Sequence, residues 1–349
     1  MTSLRSVLAL ALLAGAFAAP STEAQEKYTI YLSNNFVGND WRQQMIRVAE
    51  VAAAKPPLAG RVDLKVENVE NTVQAQINSL NNIIRAKPHA ILIDAGSDTA
   101  LNPTIKKACD AGIVVVSFDQ VVSEECAYAL ESDWDRIPAV LAEWMAKQLD
   151  GKGKVFVDRG LAGAPISARL QKGYEDVLAE YPDIEVIGYY NGEYALGPEQ
   201  AGVASLLAAH PQVDGVLTQG YGTGAMKALQ DAGRPVVPVT GFSYNGSGVA
   251  CVETEGAKCI LGANPGWLGA EAIKLAVDIL DGNKPADRHV LVNADFLTTD
   301  PIESELYADN DTMQTLEIGK TAFPDIAPGV TLPISPDWME ITPQEAAGT

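Results

Sequence analysis

Short β-branched runs alternate with helical periodicity along almost the whole chain, and this alternation limits the fold more than any other feature. "YTIYL", "VDLKVE", "AILIDA", "GIVVVSF", "KVFVD", "EVIGYY", "GVLTQ", "PVVPVTGF" and "CILGA" are bounded by Gly, Pro or Asp and read as strands. Several are apolar on both faces, as buried parallel strands are. Between them Val73, Ile77, Leu80 and Ile84 fall on one helical face, as do Leu141, Trp144, Met145 and Leu149. Ile273, Val277 and Leu280 repeat the pattern before the helix stop "DGNKP". Units of this kind build parallel sheets covered by helices on both faces. The alternation runs too long for one sheet, and 349 residues exceed one ordinary domain. The expected fold class is therefore α/β, with two doubly wound parallel-sheet domains. The acidic turn in "ESDWDRIP", residues 131 to 138, is the expected crossing between them. The last forty-odd residues lose the alternation but keep Phe323, Val330, Leu332, Ile334 and Trp338, too apolar for free coil. They are expected to form a tail packed over the surface.

The N-terminus, "MTSLRSVLALALLAGAFAAPSTEAQ", has a positive Arg5, a short apolar stretch from Val7 to Ala14 and small residues at Ala18 or Ala24, the layout of a secretory signal peptide. Its apolar segment is short for a transmembrane span. An exported protein is the expectation, and it changes how the four cysteines are read, because thiols outside the cytoplasm tend to pair. Cys109 ends a helix-like run and Cys126 opens the next strand-like one, so both fall at one sheet edge. Cys251 and Cys259 bracket a helix end and turn. Bridges 109 to 126 and 251 to 259 are predicted. A metal site is not, since C-x-x-C pairs are missing and His89, His210 and His289 lie far apart in sequence. With 25 Lys and Arg against 45 Asp and Glu, the formal charge of -20 repels phosphate backbones and anionic lipid, so nucleic acid is not an expected partner.

In open parallel sheets, ligands bind beyond the carboxyl ends of the strands. Those ends carry Asn34 and Asn35, Asp94, Asp119 and Gln120, Asp158, Gln219, Ser243 to Asn245, and Asn264, with Trp41, Trp134, Tyr194, Tyr221, Tyr244 and Trp267 near them in sequence. Amides and carboxylates bind hydroxyl groups directionally, and aromatic faces cover the C–H side of a sugar ring, so the mixture suits a neutral polyhydroxyl ligand. "GYGTGA", residues 220 to 225, follows a strand and opens a helix, but the next strand does not end in the acidic residue a dinucleotide ribose needs. A glycine-rich turn that lets a helix start close to a bound ligand explains the same residues. No cofactor is expected. The chain shows no G-x-S-x-G, H-E-x-x-H or Walker loop, and although a carboxylate pair could hide among so many acids, nothing marks one. A secreted carbohydrate-active enzyme stays the third choice behind a binding protein and a sensor.

"AAHPQVDGVLTQGYGTGAMKALQDAGRPVVPVTGF", residues 208 to 242, resembles the type I periplasmic sugar-binding proteins of ABC importers, in their ribose-binding branch. "YTIYLSNN", "GIVVVSFDQ" and "GLAGAPISARLQKGYEDVLAEYP" extend the likeness over most of the chain to about residue 300. The resemblance implies two lobes joined by a multi-strand hinge. It divides the chain into a signal peptide at 1–24, a first lobe of 25–132 plus 266–300, a second lobe of 133–265, and the tail 301–349. It also implies a monomer in the periplasm that closes around a small neutral carbohydrate and delivers it to an ABC permease in the inner membrane, performing no reaction. Presentation of the sugar, or of a furanosyl signal, to a membrane receptor is the alternative. Carried over position by position, ligand contacts fall on Asn34 or Asn35, Asn39, Trp41, Asp119, Gln120, Arg169, Tyr194, Gln219, Ser243, Asn245 and Asn264. Gln120 replaces an Arg of the ribose-type pocket, Arg169 stands one residue out of its spacing, and Ser243 to Asn245 replace an Asp.

Overall fold

The computed structural model describes residues 27–307 and 312–349, so the expected signal peptide at 1–24 lies outside the described residues. The chain opens with β1 (Tyr28–Asn34), α1 (Asp40–Ala54), β2 (Val62–Asn68), α2 (Val73–Ala86), β3 (Ala90–Asp94), α3 (Asn102–Asp110), β4 (Val114–Phe118) and β5 (Tyr128–Ser132). It continues through α4 (Arg136–Gln148), β6 (Lys152–Asp158), α5 (Pro165–Leu178), β7 (Asp183–Tyr190), α6 (Leu196–Ala209), β8 (Gly215–Leu217), α7 (Thr223–Asp231), β9 (Val239–Phe242), α8 (Asn245–Glu253) and β10 (Cys259–Gly262). It ends with α9 (Leu268–Leu280), β11 (His289–Val292), β12 (Asp295–Thr298), β13 (Thr312–Thr315) and α10 (Pro343–Ala347).

The strands form two sheets, ordered β11-β5-β4-β3-β1-β2 and β13-β12-β10-β9-β8-β6-β7. Every pairing in the first sheet is parallel, and in the second only β12 on β10 is antiparallel. Both sheets contain the doubly wound order 2-1-3-4-5, as β2-β1-β3-β4-β5 and as β7-β6-β8-β9-β10. In this order the crevice opens where the winding reverses, between β1 and β3 in one lobe and between β6 and β8 in the other. The strands beside those points are the ones that read as continuous apolar runs. All of "AILID" in β3 and "GVL" in β8 is buried, because helices cover both faces. Helix α9 has nine buried residues among its thirteen and packs between β3, β4 and α1.

The chain passes between the sheets at 133–135, at 263–267 and at 293–294. The last passage differs from the expected boundary. Residues 295–298, grouped by the sequence with the first lobe, form β12 and pair with β10 in the second sheet. The tail differs too, since it is built into the molecule rather than laid over it. β13 extends the second sheet, and Leu316, Ala322, Val330, Leu332, Met339, Ile341 and Ala346 are all buried.

Cys109 is bonded to Cys126 and Cys251 to Cys259, each with Cα atoms 6.3 Å apart, within the usual range for a bridge. The first ties the end of α3 to the approach to β5, the second ties α8 to the start of β10. Replacing Cys109 and Cys126 together by Ala should lower stability by about 2–4 kcal/mol in urea denaturation, since the closed loop restricts the unfolded chain.

Candidate functional site

Asn39 caps α1 by accepting the Arg42 N–H at 2.9 Å, which leaves Asp40 as the first helical residue. One turn into α1, the Arg42 side chain is aimed back at the carboxyl ends of β1, β3 and β4 and is almost wholly buried. There it forms an ion pair with Asp94, donates through Nη1 to Asn34 Oδ1 at 2.9 Å, and lies 3.5 Å from Asp119. The Gln120 amide, in the orientation that satisfies both of its ends, accepts from Arg42 Nη2 at 2.7 Å and donates to the Ala95 carbonyl at 3.2 Å. Burial draws the Arg42 pKa down to about 10 while the Asp119 charge works the other way, so the guanidinium stays charged at neutral pH. Burial pushes Asp119 up, and Arg42 and the Asn264 amide, which donates to Asp119 Oδ1 at 3.2 Å, hold it down. Asp119 sits at φ 58, a left-handed conformation that Asp tolerates better than most residues and that functional sites often retain.

This cluster is the floor of an interlobe cavity of about 80 Å³. One probe sphere for a single water takes about 10–15 Å³ on the same kind of measure, so the space suits a few hydroxyl-sized groups rather than a long chain. Asn39, Trp41, Arg42, Asp119 and Gln120 line it from the first lobe, and Trp134 and Asn264 line it from the crossings. The second lobe contributes Leu161, Ala164, Ile166, Leu170, Tyr194, Phe242 and Tyr244. The cavity is thus uneven: the first-lobe wall combines charge and amides with the rings of Phe36 and Trp41, and the second-lobe wall is aliphatic and aromatic. Trp41 donates its Nε1–H to the Asn264 carbonyl at 2.8 Å, which fixes the indole plane against the space. Tyr194, also left-handed at φ 52, shares a 2.6 Å hydrogen bond with Ser167.

Of the residues proposed from sequence for the ligand, Asn39, Trp41, Asp119, Gln120, Tyr194 and Asn264 line the cavity. The others do not, each for a local reason. Asn34 is spent on Arg42, Asn68 and the Phe36 carbonyl. Asn35 turns toward Asn71 at 3.4 Å. Arg169 binds Glu131 at 2.9 Å and Asp135 at 3.1 Å on one flank of the cleft. Gln219 donates to the carbonyls of Asp158 and Ser167 at 3.0 and 3.1 Å. Ser243 and Asn245 are bonded to the tail, through the carbonyls of Leu332, Phe323 and Ile326. Sequence reasoning missed Arg42 as a wall residue, and missed Thr331, which the tail brings into the cavity.

"GYGTGA" also serves a different partner from the one expected. The buried Glu199 carboxylate of α6 accepts the backbone N–H groups of Tyr221, Gly222 and Ala225 at 2.9, 3.2 and 3.0 Å, filling the N-terminus of α7 from inside the lobe. Burial raises its pKa to about 7 against those donors. A Cβ at Gly220 or Gly224 would press on that carboxylate, so the glycines let α6 and α7 approach each other rather than a ligand. Among the described residues no cluster of His, Cys, Asp and Glu could hold a metal ion.

Residues 30–284 match the periplasmic binding protein domain family. The chain belongs to that family. It is 25% identical over 293 residues to the xylitol-binding protein of Mycolicibacterium smegmatis, covering 83% of this chain and 78% of the relative. It is 24% identical over 225 residues to the ribose import binding protein RbsB of Escherichia coli K12, covering 64% of this chain and 76% of that one. The crystal structure of an ABC transporter solute binding protein from Thermobispora bispora superposes with a TM-score of 0.69 at 30% identity, over 77% of this chain and 84% of the other. The two parallel-sheet lobes are those of a type I periplasmic binding protein.

Arg42 neutralises two buried carboxylates at once. Substituting Arg42→Met should cost about 3–5 kcal/mol in chemical denaturation, because Asp94 and Asp119 would be left without their cation. Arg42→Lys should recover only part of this, since an ammonium cannot reach Asn34, Asp94 and Gln120 in one plane.

Proposed function

We propose that this periplasmic binding protein captures a small neutral sugar or polyol in the interlobe cavity and hands it, unreacted, to an ABC permease. The observation that carries the reading is this uneven wall. On one side Asp119, Gln120, Asn264 and Asn39 offer directional acceptors and donors; on the other, Tyr194, Phe242 and Tyr244 offer apolar area. A monosaccharide or alditol in one conformation presents hydroxyls along one edge and C–H groups on a face, and fits that division. An anion fits poorly, since the Arg42 guanidinium is already engaged by Asp94, Asn34 and Gln120. The xylitol- and ribose-binding relatives agree in ligand class. The N-terminal pattern of Arg5 and the apolar run after it supports export.

Closure over the ligand would bury its hydroxyls, and each one left unpaired would cost about 1–3 kcal/mol, which lets such a pocket discriminate between epimers. A thermal-shift panel of pentoses, hexoses, their furanose forms and alditols should give at least one clear rise in melting temperature, because a ligand bound at 1,000 times its Kd adds about 4 kcal/mol. With that ligand, Asp119→Ala should weaken binding about tenfold or more in calorimetry, the loss of one charge-assisted hydrogen bond. Near-wild-type affinity of Asp119→Ala would remove this wall from the site.

A further inference from the structure

The tail makes a second use of residues that the family resemblance assigns to ligand. Along Ser243, Tyr244 and Asn245, at the carboxyl end of β9, the backbone pairs antiparallel with 330–332. Asn245 N–H donates to the Val330 carbonyl at 2.7 Å, Leu332 N–H to the Ser243 carbonyl at 2.8 Å, and Tyr244 bridges Thr331. The Asn245 side chain adds bonds to Phe323 and Ile326 at 2.8 and 2.9 Å. That is the anchor on the second lobe.

The anchor on the first lobe follows immediately in sequence. Thr331 N–H donates to Gln44 Oε1 of α1 at 2.7 Å, and both residues are buried. Beyond Pro333 the chain lies on α1 and α9: Trp338 bonds Glu271, Arg47 Nε donates to the Ala346 carbonyl at 3.0 Å, and Lys55 pairs with Glu345 at 2.7 Å. Met339, Ile341 and Ala346 are buried there. Thr331 Oγ1 also accepts from Gly266 N–H, within the 263–267 crossing, at 2.8 Å. The same stretch closes one flank of the cleft, where Gly329 leaves no room for a Cβ against Asp40.

We propose that residues 323–347 act as a fourth connection between the lobes, a strap that limits how far the cleft opens and holds Thr331 in the cavity wall. Only the identification of the cavity as the ligand site rests on the proposed function; the limit on opening does not. The Thr331–Gln44 contact sits inside the second-lobe anchor itself, and residues 333–337 alone separate Leu332 from the next first-lobe bond at Trp338, so the strap has little slack. A lobe rotation that separates α1 from β9 must break the Thr331–Gln44 contact or lift α10. In the ligand-free protein, the strap therefore caps the opening, and closure on a ligand starts from a narrow range of interlobe angles.

The test reads ligand-free protein. Spin labels at Glu67→Cys and Glu185→Cys, exposed on the edge strands β2 and β7, report the interlobe distance by electron–electron double resonance. Two variants, both carrying Gln44→Leu, release the strap: a stop after Pro333, and a Gly-Ser insertion between Ile334 and Ser335. The second keeps the apolar residues of the tail and gives the result if the truncated chain does not fold. Both are expected to shift the distribution to longer and broader distances than in the intact chain. An unchanged distribution in a folded insertion variant, with circular dichroism like the intact protein, would overturn the proposal. Failure of the sugar reading would appear instead as an intact protein indifferent to every carbohydrate, and would leave this comparison unaffected.

Discussion

The Arg42 guanidinium is the interaction on which the first lobe's side of the cavity depends. Three strand ends, β1, β3 and β4, each deliver an acceptor to one point, and without a cation between them Asp94 and Asp119 would repel across a space closed to water. Placing the cation one turn into α1 also fixes the helix, because the Arg42 N–H is the one capped by Asn39. The charge pair sets the orientation of Asp119, and Asp119 with Asn264 joins the first lobe to the 263–267 crossing. Buried ion pairs contribute little net stability compared with packed apolar groups. This one holds a fixed arrangement of acceptors and donors that faces into the cleft.

The two lobes share a winding order but treat their switch points differently. In the first, Asn34 and Asp94 at the switch point are engaged by Arg42, and Asp119 and Gln120 beyond β4 face the cleft. In the second, Asp158 accepts the backbone N–H groups of Gly160, Gly192 and Gln219, and Glu199 caps α7, so the polar groups are consumed inside the lobe. What remains facing the cavity is aromatic and aliphatic. The hydrogen bond from Tyr221 to Asp40 at 3.0 Å and the pairing of Arg169 with Glu131 span the cleft on either side of that surface. The charged and amide groups of the cavity therefore come from the first lobe and the crossings, and the second lobe adds aromatic and aliphatic surface.

How much of this was legible in the sequence depends on whether a property is local or relational. The strands at β3, β4 and β6 could be read because burial on both faces leaves an unbroken apolar stretch, "AILI", "VVV" and "VFV", in each. The disulfides could be read because a helix end and a following strand start must share a sheet edge. Asp119, Trp41 and Asn264 could be placed at the cleft from strand ends and a family resemblance. Gln219, Ser243 and Asn245 stand at equally good strand ends, yet their partners are Asp158 and a tail some eighty residues away, and no spacing encodes that. Arg42 carries no local signal of its role, because its two carboxylate partners come from later strands. β12 was grouped with the wrong lobe because a four-residue strand next to a crossing carries no periodicity that says which sheet it joins.

On the function proposed above, the two lobes close around an uncharged, hydroxyl-rich molecule. Small-angle X-ray scattering on the same protein preparation, with and without each carbohydrate that raises its melting temperature, tests it most directly. A smaller radius of gyration with at least one neutral sugar or alditol, and none with sugar acids or phosphates, is the predicted result. Scattering that stays the same with every neutral carbohydrate, or contraction only with a charged ligand, would contradict it.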